Sequence, residues 1–299
     1  MSTDERHQIA ARIAQKLRDA DVGCEIVALL PTDVAVLRRD RIMVATTLIL
    51  VSALAWGYLL WLSAAMGMSG MDMSGLRTIP AGVGLMVPVH TPWSAIEFAF
   101  VFVMWAVMMV GMMVPSAVPM ILTYARVGRC TQVQGTPFGA TAYFSIGYVL
   151  VWVAFSLFAT LAQSALERAG LLNAAMASTS TVLGGLIFVA AGSYQWTRLK
   201  YLCLAQCQMP FAFLVRHGGF RRTALGALML GFRHGAYCVG CCWMLMTLLF
   251  VGGVMNVLWI GLLALVILLE KVIPSARIAS LGGLIFVAAG AWSLSAVMF

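Results

Sequence analysis

Seven apolar runs, each close to the length that crosses a bilayer, limit this chain more than any other feature. They cover Ile42–Ala65, Ser94–Tyr124, Thr141–Gln163, Thr181–Trp196, Thr223–Phe250, Val254–Leu269 and Ile278–Val297. A helix needs about 20 apolar residues to span the hydrocarbon layer, and backbone inside that layer must satisfy its own hydrogen bonds. The expectation is an all-α, polytopic integral membrane protein with seven transmembrane helices. The fourth and sixth runs are the short ones. A chain of 299 residues that is 62% hydrophobic and 10% charged fits the same class.

The basic residues orient these spans. With the N-terminus inside, sixteen of the 19 Lys and Arg fall in inside segments, and only Arg77 and Arg168 fall outside. Arg233 lies within a span. Such a bias predicts a cytoplasmic N-terminus, a periplasmic C-terminus and seven crossings. It also accounts for the net charge of +8 without nucleic acid as a partner. The lipid bilayer is the partner that the composition implies. Residues 1–41 are polar and read as a cytoplasmic segment with a short amphipathic helix, in which Ile9, Ile13, Ala14 and Leu17 share a face. A second short piece is expected from Thr32 to Asp40. Residues 42–299 form the transmembrane domain.

A ten-residue run, Leu183 to Gly192, recurs identically as Leu281 to Gly290. It suggests two duplicated three-helix units, 94–197 and 223–299. Three crossings per unit would leave the copies inverted, as in many transporters. The glycines of the run permit close helix contact.

The chemistry concentrates in residues 233–243. On a helix, His234, Cys238 and Cys241 fall at i, i+4 and i+7, and Cys242 is also i+4 from Cys238. Imidazole with thiolates suits Cu(I) or Zn(II). A single cysteine here would read as a small hydrophobe, but three beside a histidine favour metal or thiol chemistry. In the first outside loop, Met66, Met68, Met71 and Met73 cluster among Gly, Ser and Asp. Thioethers exposed in water gain nothing by packing, and their softness points to Cu(I). Met104, Met108 and Met112 form a stripe at helical spacing in the second span; packing is the default reading of such a stripe, and its place below the loop makes it a candidate path. Cys203 and Cys207, at i and i+4, share a face in an inside loop.

Pro115 and Pro119 are expected to kink or break the second span, with Ser116 and Thr123 near the freed carbonyls. Glu270 and Lys271 read as an interfacial acid and base. Glu270, Glu97 and Glu167 are candidate anions for Arg233, which an apolar span would otherwise strand.

Several segments together resemble a bacterial domain-of-unknown-function family of predicted metal-binding integral membrane proteins. They are Met104-Trp105, Met108 to Ser116, Tyr194 to Lys200 with Cys203 and Cys207, His234 to Met246, and Val254 to Asn256. The resemblance spans about Ser94 to Phe299 and implies a metal-binding protein of the bacterial inner membrane; no reaction comes with it. The leading expectation is therefore Cu(I) handling, by transport or by delivery to a periplasmic or membrane protein partner. A membrane thiol oxidoreductase and a structural subunit of a larger complex are the alternatives.

Overall fold

The computed structural model describes residues 31–67, 76–78, 86–88, 93–131, 138–173, 176–221 and 223–298. The amphipathic helix expected before residue 31 lies outside these residues, as do Met68, Met71 and Met73. The described helices are α1 (Pro31–Gly67), α2 (Ala95–Thr131), α3 (Phe138–Arg168), α4 (Thr181–Tyr194), α5 (Arg198–Gln208) and α6 (Pro210–Arg216). Then come α7 (Ala224–Thr247), the single turn α8 (Leu249–Gly252), α9 (Val257–Val272) and α10 (Ala276–Met298). Between α1 and α2 a small antiparallel hairpin pairs β1 (Leu76–Thr78) with β2 (Met86–Pro88), Arg77 opposite Val87. The segment expected to form a separate piece before residue 41 is instead the first turns of α1.

Five helical stretches among the described residues are long and apolar enough to cross a membrane: Ile42–Ala64, Ala95–Gly128, Gly139–Arg168, Ala224–Gly252 and Arg277–Val297. The seven runs thus give five helices of membrane-crossing length among the described residues, not clearly seven. The other two apolar runs fold as the 14-residue α4 and the 16-residue α9. Each stops where polar side chains begin: α4 at Tyr194 and Gln195, α9 at Glu270 and Lys271. Both stopping points meet the long helices near their middles, at Met113–Ser116 of α2 and Cys238–Gly240 of α7.

Helix α2 is the centre of the bundle. Met104, Trp105, Met108, Met109, Met112 and Met113 are all buried. The methionine stripe is therefore core, and it faces protein rather than lipid. Helix α1 lies at the periphery, and Leu54, Leu60 and Trp61 are among its exposed side chains.

Neither proline interrupts α2, which runs unbroken through Pro115 and Pro119. Pro115 has no N–H to give the carbonyl one turn earlier, that of Gly111. The Trp56 indole of α1 donates to that carbonyl at 3.2 Å. Ser116 and Thr123 donate to Met113 and Pro119 instead. At its start α2 carries a capping box: Ser94 N–H donates to Glu97 at 2.6 Å, and Glu97 N–H donates to the Ser94 hydroxyl at 3.2 Å.

Glycines set the helix pairs. Gly231 and Gly235 of α7, one turn apart, lie against Phe144 and against Tyr148 and Val151 of α3, while Gly147 faces the α7 backbone. Both sequences ascend together, so α3 and α7 are parallel, with backbones in contact in the manner of small residues four apart in membrane helices. The two identical runs also meet. A Cβ on Gly192 would fall 2.7 Å from the Gly283 carbonyl, and one on Gly290 would fall 2.7 Å from the Gly185 carbonyl. The second glycine of each run thus faces the last glycine of the other. Helices α4 and α10 are antiparallel, and the two runs are related by a local twofold.

Candidate metal centre

Helix α7 presents its sulfurs inward. Cys238, Cys241 and Cys242 are each 1% exposed, and His234 is 2% exposed. The Cys241 and Cys242 thiols donate back to the Cys238 carbonyl at 3.1 and 3.0 Å, a bond that their i+3 and i+4 positions allow. Helix α5, expected in an inside loop, runs alongside the middle of α7 and adds a fourth thiol. The Cys207 thiol adjoins those of Cys238 and Cys241. Cys203, one turn earlier, packs on Gly240, where a Cβ would come within 2.7 Å of its sulfur. That glycine makes the room that lets α5 approach. All five of these cysteines are free thiols.

A cation already lies against the cluster. Lys271 of α9 donates to Cys238 Sγ at 2.9 Å and to Ser116 Oγ at 2.9 Å, with Met113 Sδ at 3.8 Å. The Tyr148 hydroxyl lies 3.1 Å from the same cysteine sulfur and 3.1 Å from the Met113 carbonyl. Lys271 is therefore buried, not interfacial, and its ammonium occupies a position on sulfur that a soft cation would otherwise take.

Next to it, Glu270 is buried too. It accepts from Lys200 at 2.6 Å and from Gln195 at 3.0 Å, while Gln208 donates to its carbonyl at 2.7 Å. Glu270 is thus the anion for Lys200. Arg233 is exposed, and the expected pairing of Arg233 with Glu270 is not formed. Burying two charges costs several kcal/mol per ion unless partners replace the lost water. Gln195, Gln208 and Ser116 are those partners.

The other predicted ligands divide into three groups. His234 is enclosed by rings, stacked on Tyr148 at 5.7 Å and edge-on to Phe213 at 5.1 Å; its Nδ1 has no hydrogen-bond partner among the described residues. No hydrogen bond joins it to the thiols. Met104, Met108 and Met112 are core, and it is Met113, on the neighbouring ridge, that reaches Lys271. Met66 lies in the last turn of α1, and the structure describes only its backbone. Among the described residues no group of three or more His, Cys, Asp or Glu side chains is arranged to hold a metal ion. The arrangement is a hydrogen-bonded thiol cluster rather than a preformed coordination shell.

Residues 102–293 match PpoB2, a family described as copper chaperones. The chain belongs to this family. No curated protein and no solved structure matches it. The PpoB2 match holds every thiol of the cluster together with Lys271, Glu270 and Met113, and it leaves out the methionine loop. Lys271 and Met113 had no signal in the spacing of the sequence, because helical periodicity reports neighbours on one helix and these come from two others.

Proposed function

We propose that the protein handles Cu(I) in the membrane, and that Cys207, Cys238, Cys241 and Cys242 receive the ion. The observation that carries this reading is the meeting of thiols from α5 and α7 inside the bundle. Thiolate and thioether donors select Cu(I) over harder ions, and PpoB2 membership supports copper over zinc. For copper to bind, the Lys271 ammonium must withdraw from Cys238. The thiol hydrogens held by the Cys238 carbonyl must also turn away or be lost. Helices α4 and α9 both end beside the cluster, and helix C-termini carry partial negative charge that favours a cation. The methionines at 66, 68, 71 and 73 would collect the ion outside. The ion would then be passed across the bilayer or to a protein partner, with the N-terminus cytoplasmic and the C-terminus periplasmic. The local twofold between α4 and α10 supports extending the inverted repeat to 94–197 and 223–299.

The test is copper analysis of protein purified under reducing conditions. Near-stoichiometric copper is expected, with Cys238→Ser and Cys207→Ser each binding at least about tenfold more weakly; changes to groups that merely support metal ligands already cost that much. Copper at background in the parent protein would overturn the reading. A second reading has its own support: Lys271 and Tyr148 both contact Cys238, an environment suited to a reactive thiol. Turnover of the thiols with a quinone, in protein free of copper, would favour a thiol oxidoreductase.

A further inference from the structure

Arg233 is left over from everything above. It sits nine residues into α7 from Ala224, about 13 Å along the axis. It is exposed, and it has no hydrogen-bond or ion-pair partner among the described residues. An arginine in an apolar span is costly unless an anion or water meets it, and its long side chain can carry the guanidinium toward the membrane surface.

Arg233 lines a cleft of about 570 Å³ between α5, the end of α6 and α7, with Leu199, His217, Ala236, Tyr237 and Gly240. Arg221 donates at 2.9 Å to the carbonyl of His217, one of the lining residues. The apolar side of the cleft continues deeper along α7. Ala236, Gly240 and Trp243 fall at successive helical turns on one face, with Ala236 and Trp243 exposed. The surface therefore offers an arginine fork at one point and an open hydrocarbon track running from it.

We infer that this cleft binds an anionic phospholipid, its phosphate on Arg233 and an acyl chain running deeper along Ala236, Gly240 and Trp243. A phosphate group satisfies a guanidinium through paired hydrogen bonds. Free phosphate would satisfy Arg233 equally but has no use for the apolar track. Anionic lipids are attracted to basic groups at the membrane surface. The inference does not depend on copper.

Native mass spectrometry of the detergent-purified protein, titrated with phosphatidylglycerol, tests it. One phosphatidylglycerol is expected to bind more tightly than phosphatidylcholine. Arg233→Gln should weaken it by about fivefold or more, the factor expected for one basic residue at a lipid surface. Ala236→Trp fills the track without touching the charge and should weaken binding comparably, which guards against a folding defect in the arginine variant. Inorganic phosphate at millimolar concentration should not displace the lipid. Unchanged binding in either variant, equal binding of phosphatidylcholine, or displacement by inorganic phosphate would overturn the inference. So would displacement by an acidic peptide, which would make the cleft a protein-docking site.

Discussion

Glu270 and Lys271 are adjacent in sequence and have opposite partners: the carboxylate takes Lys200, and the ammonium takes Cys238. Adjacent residues on a helix point about 100° apart, so one turn of α9 serves two sites. Glu270→Gln leaves Lys200 buried without a counter-charge, and about 3–5 kcal/mol of stability should be lost, since breaking one partner of a buried pair strands the other. Thermal unfolding in detergent measures this. The double variant Lys200→Met with Glu270→Leu should recover most of the loss, and failure to recover would mean that the pair does more than balance charge. At this scale the α7 thiols were legible, because i, i+3 and i+4 spacing on one helix fixes who is near whom. Their partners were not. Lys271 reaches Cys238 across 33 positions, and nothing in an apolar run marks which end dips inward. The same gap hid Trp56: the proline that frees the Gly111 carbonyl is visible in the sequence, but the indole that takes it is 55 residues away.

Helix pairing here depends on missing side chains. At Gly231 an added Cβ would run into the Phe144 carbonyl, whereas at Gly57 nothing lies within 4 Å. Gly231→Ala should therefore part α3 from α7 and sharply reduce the yield of folded, monodisperse protein on size exclusion. Gly57→Ala should be neutral or gain up to about 1 kcal/mol from better helix propensity. If both variants behave alike, the close approach of α3 and α7 is not what holds the bundle. The identical runs announced that α4 and α10 are related, and their glycines announced close contact. That they pack on each other, second glycine to last, needed the coordinates. The same holds for α5: its Lys, Gln and Arg residues read as a solvated loop, yet Lys200 is fully buried because Glu270 is there to receive it.

For the whole molecule, the all-helical core and its apolar character were plain from run lengths, while the number of membrane-length helices was not. A run of apolar residues measures what can be buried in lipid, and α4 and α9 spend theirs against α10 and α2 as well. Counting basic residues still favours an inside N-terminus and an outside C-terminus. Alkaline phosphatase fused after Phe299 should be active in the periplasm, and a fluorescent protein fused there should stay dark; the reverse pattern would mean an even number of crossings. The short helices carry a further consequence for the surrounding lipid. Helix α4 is about 21 Å long and α9 about 24 Å, against roughly 30 Å of hydrocarbon. Were the bundle set in a bilayer with these helices spanning it, the leaflets beside them would pinch together, whereas α2 and α3 exceed the slab and would lean or protrude. The annulus around such a bundle would be lopsided, and membranes of different thickness should press unequally on the two flanks that meet at Lys271.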